Sequence, residues 1–377
     1  MKRILVDGTY LGMQMKGVGR YAANTLRHLA ELDPVNEYNV LVRRNTPLPP
    51  LPQNDRFHYI PIHLHNHYLH GGWTLPQQAK RLRADIAWIP YETTLGILPC
   101  PYLVVCHDVP RLITQAQNIA GNRLSISRRA LNTLDSFWLR RSLRHAAIVF
   151  ANSHFVSTWL RDDLRIPAER VRYAPCAPGA DFATLAQAVD RQAVRRQLDC
   201  SAGYVLVFAT GDRRENLATV LRVFDSLVAQ GSALNLVIAG VRQDDAAHIR
   251  ARVNAYAWRE RVRLLPFYGE DQMMNLAEVY AGASVYLDLS LHEGFGMQVI
   301  EAMACGTPVV CSNRGALPEV TGKAAVVIDP SQISEVNNGI LKILNEPEFA
   351  ARLEKRGKAI AAQYSWRNTA KTIWEML

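Results

Sequence analysis

SVYLDLSLHEGFGMQVIEAMACGTPVVC, residues 284–311, contains a complete unit of architecture. SVYLDL (284–289) is a short apolar run rich in residues that suit a pleated, buried strand. Next comes a polar loop in which Gly294 and Gly296 flank Phe295. A helix begins after those glycines, and its first N–H groups have no partner within the helix. The turn CGT then feeds a second buried strand, PVVC (308–311). Strand, glycine loop, helix and strand in this order predict two parallel strands joined by a right-handed crossover.

The same alternation extends in both directions. Strand-like runs lie at 4–7, 38–42, 86–89, 102–106 and 147–151, and a second series lies at 204–208, 236–240, 262–265, 284–289, 308–311 and 325–328. Several are apolar at every position, as strands covered on both faces of a parallel sheet must be. Helical patterns fall between them, for example at 217–229, 270–281 and 348–363. The fold class is therefore α/β, with two doubly wound, Rossmann-like halves expected to face each other across a cleft. Residues 176–203 separate the two series and place the boundary near 185–195.

The chain has 377 residues, long for one core and typical of two. With 49% hydrophobic and 20% charged residues it reads as globular rather than disordered. No apolar run is long enough to span a bilayer, and MKRILVDG reads as a first strand, not a leader. The six cysteines are scattered without a close pair, which argues against a disulfide framework or structural zinc and for a cytoplasmic setting. A formal charge of +9 suits phosphorylated small molecules or an anionic membrane surface. No nucleic-acid-binding motif accompanies it.

Ligands of doubly wound sheets sit beyond the carboxyl ends of the strands, so the residues there are the candidates. Gly17 and Gly19 precede an amphipathic helix after strand one; they read either as a phosphate contact or as an ordinary tight turn. His107 and Asp108 follow YLVVC directly and suit substrate contact, with a hydrogen-bonded turn as the plain alternative. Arg213 and Arg214 lie in TGDRREN after YVLVF, where a planar guanidinium matches a diphosphate; a solvated charge cluster is the other reading. In the segment quoted first, Glu293 sits in the loop and Glu301 on the helix. An ionised carboxylate only accepts hydrogen bonds, so sugar or ribose hydroxyls are fitting partners.

EGFGMQVIEAMACGTPVVCSNRGALPEV closely resembles the donor-site segment of family 4 retaining glycosyltransferases, which have the GT-B fold and a Glu-x7-Glu signature. GVGRYAANTL, VVCHDVP, AAIVFANSHFVSTWL, VYLDLSLHEGFG and the terminal YSWRNTA are similar to family segments in the family's order. The resemblance implies domains 1–190 for the acceptor, 191–360 for the donor, and a helix at 361–377 crossing back to the first. It implies that Glu293 contacts the donor sugar, Glu301 the ribose, and the backbone N–H groups of Phe295, Gly296 and Met297 the diphosphate, with Gly294 also in the donor site. Gly17 and Gly19 would touch the distal phosphate, His107 would sit near the transferred sugar, and Pro266 to Tyr268, with Phe267 between them, would border the nucleobase. One departure stands out: Glu215 occupies the place where the family often carries a lysine.

The implied reaction moves a hexose from a nucleotide diphosphate sugar, with GDP-mannose the family's habit, to a saccharide or lipid-linked saccharide hydroxyl. No cofactor and no metal is expected; the nucleotide sugar is a substrate, and no Asp-x-Asp motif is present. HLHNHYLH (63–70) places three histidines on one side of a strand, but no carboxylate or cysteine set completes a metal site. The basic stretch 119–145, with Arg123, Arg128, Arg129, Arg140, Arg141 and Arg144 beside Phe137 and Trp138, suits a lipid-linked acceptor or a solvated helix equally. Two alternatives share the fold: a nucleotide-sugar epimerase, which incubation with donor alone would reveal, and a non-catalytic subunit, which Glu215 keeps open.

Overall fold

The computed structural model describes residues 1–12, 17–63, 69–92, 94, 97–109, 126–179, 181–209, 212–268 and 272–377, with the side chains of 126–133, 273 and 274 set aside. It divides into two compact units. One comprises Met1–Pro110, Arg123–Cys176 and Ser365–Leu377. The described part of the other lies within Ala177–Tyr364.

In the first unit the strands are β1 (Arg3–Asp7), β2 (Glu37–Arg43), β3 (Phe57–Ile62), β4 (Ile86–Ile89), β5 (Tyr102–Cys106), β6 (Ile148–Ala151) and β7 (Val171–Tyr173). They form one parallel sheet in the order β3-β2-β1-β4-β5-β6-β7. The chain order reverses between β1 and β4, which makes their carboxyl ends the switch point. Helices α1 (Gly17–Leu32), α2 (Leu75–Arg81), α3 (Ile126–His145) and α4 (His154–Asp162) belong to this unit. Ser153 caps α4 by accepting the Val156 N–H at 3.1 Å.

The second unit opens with helices α5 (Phe182–Gln187) and α6 (Arg191–Gln197). Its sheet contains β8 (Tyr204–Phe208), β9 (Asn235–Val241), β10 (Val262–Pro266), β11 (Val285–Asp288), β12 (Val309–Ser312) and β13 (Ala325–Ile328). The order is β10-β9-β8-β11-β12-β13, all parallel, with the switch point between β8 and β11. Helices α7 (Leu217–Ala229), α8 (Gln243–Val253), α9 (Met273–Gly282), α10 (Met297–Ala304), α11 (Leu317–Thr321), α12 (Ile333–Asn345) and α13 (Pro347–Ala361) pack around it.

Helix α7 illustrates how the sequence builds these layers. Leu217, Val220, Leu221, Phe224 and Leu227 recur at helical spacing and are buried in the core of this unit. Asn216 enters the helix with a left-handed backbone (φ 55°), a conformation its short polar side chain tolerates, and Gly231 leaves it with φ +84°. Each fully buried aliphatic side chain contributes about 1.5–3 kcal/mol. Truncating Phe224 to alanine would cost about 3–5 kcal/mol.

The last helix, α14 (Trp366–Trp374), belongs to the first unit. The Trp366 ring meets Tyr21 of α1 edge-on at 5.5 Å. Thr369 donates through Oγ1 to the Pro175 carbonyl at 2.7 Å, and Arg367 pairs with Glu31 at 2.9 Å. None of the six cysteines forms a disulfide. Among the described residues no helix is long and apolar enough to cross a membrane.

Candidate functional site

The carboxyl edge at β8 and β11 brings together the residues read from TGDRREN and EGFGMQVIE. After β8, Arg213–Glu215 forms a single tight helical turn capped by Asp212. Asp212 accepts from the Arg214 backbone N–H at 2.9 Å and from its Nε at 3.0 Å, and Nη2 of the same arginine lies 2.9 Å away. Arg214 is thus an intraloop ion pair, whereas Arg213 is exposed. The two loops are bonded to each other. The Leu291 N–H donates to the Arg214 carbonyl at 2.7 Å, and Asn216 Nδ2 donates to the Leu289 carbonyl at 3.1 Å. Thr210 and Gly211 of this run lie outside the described residues.

An aromatic contact and a backbone hydrogen bond hold the EGFG loop. Gly294, Phe295 and Gly296 are buried, and the Phe295 ring meets Tyr364 edge-on at 5.4 Å. Gly296 adopts φ +95°, a conformation that strains any residue with a side chain, and a Cβ there would also press on the Leu317 Cδ2 methyl at 2.5 Å. Gly296 ends the loop and Met297 begins α10, so the unpaired amides of that first turn issue from the loop itself. Glu301, one turn into α10 and 1% exposed, accepts a hydrogen bond from the Tyr280 hydroxyl at 3.0 Å. Glu293 is half-buried, and its carbonyl accepts the Ala316 N–H at 2.8 Å.

Two contributors here were not singled out in the sequence. Gly315 (φ +60°) lies so close to Glu293 that an added Cβ would sit 2.2 Å from the Glu293 carbonyl oxygen. Its place in GALPEV, just past a strand, was the available signal. Asp288 ends β11 and is 8% exposed, and its Oδ1 accepts the Ser290 N–H at 3.0 Å. Burial pushes the Asp288 carboxyl up, against the pull of the Ser290 hydrogen bonds. An acid inside an otherwise apolar strand was its signal. Glu215, Tyr286, Asp288, Ser290, Glu293 and Gln298 all line one cavity of about 30 Å³, room for a water or two. Burial raises the Tyr286 hydroxyl well above its usual range, and the charges of Asp288, Glu293, Glu301 and Glu215 add to that. Glu215 therefore increases the negative potential on this edge.

Phe267 follows β10 on the same edge of the sheet. Its N–H donates to the Val241 carbonyl at 3.2 Å.

The first unit has its own cluster at the β1/β4 switch point. His107 follows β5; its backbone N–H donates to Glu92 Oε1 at 2.6 Å and its Nε2 lies 2.9 Å from the Pro90 carbonyl. A carbonyl only accepts, so Nε2 carries the proton, and in the neutral ring Nδ1 is the atom left to accept from a substrate. The ring meets Tyr21 edge-on at 4.9 Å, and the Tyr21 hydroxyl donates to the Ala174 carbonyl at 3.0 Å. Burial raises the Glu92 carboxyl, partly offset by His107. Asp108 is half-buried beside it and accepts the Val109 N–H at 2.9 Å. Gly17 opens α1 at the surface, and Gly19 is buried within its first turn.

Asp7, at the end of β1, is fully buried. It accepts from Thr9 Oγ1 at 2.8 Å, from the Tyr91 hydroxyl, and pairs with His70 Nε2 at 2.7 Å. Burial alone would raise its carboxyl; the His70 charge and the hydrogen bonds from His70, Tyr91 and Thr9 outweigh that and hold it below the ordinary range. Thus His70 of HLHNHYLH is an internal partner of a carboxylate. His63 is exposed, and His65 and His67 lie outside the described residues. Arg123 of the basic stretch is outside them too, as are the side chains of Arg128 and Arg129. Among the described residues no group of three His, Cys, Asp or Glu side chains is placed to hold a metal ion.

Residues 191–360 match the family described as glycosyl transferases group 1, and residues 15–177 match glycosyltransferase family 4. O-antigen chain mannosyltransferase B of Escherichia coli is 30% identical over 240 residues, 62% of this chain and 61% of that protein. Serotype-specific mannosyltransferase WbdA of Escherichia coli is 25% identical over 277 residues, 72% of this chain and 33% of that one. The matches thus span about three fifths of the first relative's length and a third of the second's. Among solved structures, sucrose-phosphate synthase from Thermosynechococcus elongatus superposes with a TM-score of 0.75 at 19% identity, covering 100% of this chain and 98% of that one. At that identity the likeness is one of fold.

Proposed function

We propose that this chain, which belongs to glycosyltransferase family 4 and has the GT-B fold, transfers a hexose from a nucleotide diphosphate sugar to a saccharide or lipid-linked saccharide hydroxyl, with retained configuration. The names of the relatives favour mannose as the sugar and assembly of a bacterial surface polysaccharide as the setting, and GDP-mannose is the donor this reading takes. The observation that carries the reading is the β11–α10 loop: two carboxylates, Glu293 and Glu301, flank a glycine turn that opens directly into a helix N-terminus. A diphosphate is met by the α10 amides and by Arg213, while the carboxylates accept from hydroxyls.

The transition state resembles an oxocarbenium ion, with negative charge growing on the departing phosphate. The helix end and Arg213 stabilise that charge in place of a metal. The acceptor hydroxyl attacks the anomeric carbon from the side the phosphate leaves, and a phosphate oxygen takes its proton. Glu293 stabilises the positive sugar and is not a nucleophile. In the first unit His107 and Asp108 serve the transferred sugar, Nδ1 of His107 accepting one of its hydroxyls, and Gly17 and Gly19 serve the distal phosphate. The net charge of +9 suits peripheral contact with an anionic membrane bearing the acceptor.

A thermal-shift series with nucleoside diphosphates tests the donor site. A ligand of the native state present at 100 times its Kd stabilises by about 2.7 kcal/mol. Absence of any shift at millimolar concentration would overturn the reading. Glu293→Ala should melt like the parent and lose transfer; near-parental turnover would remove Glu293 from its role.

A further inference from the structure

Resting on that donor-site reading, we infer that Arg242 reads the nucleobase and selects guanine. Arg242 directly follows β9 and has an extended backbone (φ −82°, ψ 155°) before α8 begins, so it stands on the carboxyl edge of the sheet. The neighbouring β10 slips register between Leu264 and Pro266, pairing Pro266 with Val241. That slip brings Phe267 alongside, and the Arg242 guanidinium lies over its ring, 5.7 Å from the centroid.

Among the described residues no carboxylate pairs with Arg242. Other arginines of this unit are already engaged: Arg214 with Asp212, Arg263 with Asp199, Arg314 with Asp329, and Arg261 with the Ser232 carbonyl. Arg242 is half-buried, its guanidinium lies over the Phe267 ring, and among the described residues it makes no ion pair. A guanidinium resting on an aromatic face keeps its in-plane N–H groups for another acceptor. Two adjacent N–H groups match two adjacent acceptors, and guanine offers O6 and N7 side by side. Adenine places a donor beside N7, and uracil places N3–H beside its carbonyls, so each leaves one N–H of the fork unmet. A bidentate pair of this kind discriminates by about 5- to 150-fold.

Calorimetric titration of the full chain with GDP, 7-deaza-GDP and UDP tests this, using the parent and Arg242→Ala. The 7-deaza analogue removes one acceptor and changes nothing else in the base edge. The parent should bind GDP about 5- to 150-fold more tightly than either competitor, and Arg242→Ala should lose that ratio while still binding all three. A ratio between ligands on one variant does not depend on how much of it is folded. Equal affinity of the parent for GDP and 7-deaza-GDP, or an unchanged ratio in Arg242→Ala, overturns the inference and leaves the donor site standing. Tighter binding of UDP overturns the choice of guanine. Binding of no nucleoside diphosphate overturns the donor-site reading and this inference together.

Discussion

Replacing Gly315 by alanine should damage catalysis more than its size suggests. Gly315 has φ +60°, a left-handed conformation that costs an L-residue about 1–2 kcal/mol. The new Cβ would lie 2.2 Å from the Glu293 carbonyl oxygen and 2.7 Å from its nitrogen. Both are backbone atoms and cannot rotate aside. Reaching a tolerable 3.0 Å requires the two segments to part by roughly 0.8 Å. Overpacking of this kind costs about 1–3 kcal/mol, and strain on the 2.8 Å hydrogen bond from Ala316 to Glu293 adds about 0.5–1.5 kcal/mol. Gly231 supplies the control: φ +84°, with nothing within 4 Å of an added Cβ. Its alanine variant bears only the backbone term, reduced by about 0.4–1 kcal/mol through the stiffer unfolded chain. Urea unfolding should therefore separate the two by about 1.5–4.5 kcal/mol. Displacing Glu293 by most of an ångström should also lower transfer at saturating donor by about 100-fold in Gly315→Ala alone. Equal stability and equal turnover in the two variants would refute the reasoning.

Further outcomes follow from the same geometry. Glu215→Lys replaces a carboxylate beside Asp288 and Glu293 with a cation, and should tighten nucleoside diphosphate binding about 10- to 100-fold by calorimetry; unchanged affinity would place the phosphates elsewhere. Tyr280→Phe removes one donor from the buried Glu301 and should cost about 1–3 kcal/mol in chemical denaturation while raising the donor KM; a parental KM would separate Glu301 from the donor. Asp7→Asn breaks a fully buried pair with His70 and should cost about 3–5 kcal/mol at pH 7. Because the folded Asp7 carboxyl lies below its unfolded value, its contribution is present above about pH 4 and is lost as pH falls further. The difference between Asp7→Asn and the parent should accordingly shrink below that pH in unfolding curves, and a constant difference would contradict the assigned shift.

Most strands were legible because they are buried on both faces and so read as unbroken apolar runs. IAWI, YLVVC and YVLVF coincide with β4, β5 and β8 to the residue, and AVVI matches β13 because it is an unbroken apolar run even though that strand is a half-buried edge. The two strands not read, β3 and β7, are the edges of the first sheet. An edge strand has one neighbour and a wetter face, so FHYIPI is interrupted by the exposed His58 and Pro61, while VRY is three residues long. The glycine loop before α10 was legible for a similar reason: it runs contiguously in sequence. Gly315, Arg242 and the Asp7–His70 pair were not, because each acts through a contact with a distant residue. His70 lies 63 positions from Asp7, and no local pattern encodes that. The two arginines at 213 and 214 looked equivalent until Asp212 claimed one of them.

The position of α14 bears on the order in which the molecule can be completed. Synthesis delivers β1 first and Trp366–Trp374 last of the described elements, yet both belong to one unit. The intervening Ala177–Tyr364 can finish its own sheet while Tyr21 still awaits the Trp366 ring. Chains usually mature from the N-terminal end as they emerge at about 5–20 residues per second. Here the later-made unit can be complete while the earlier one still lacks its last helix. A stalled or truncated chain ending before Ser365 would therefore present a finished second unit joined to a first whose α1 surface, built to receive an indole, is open to water.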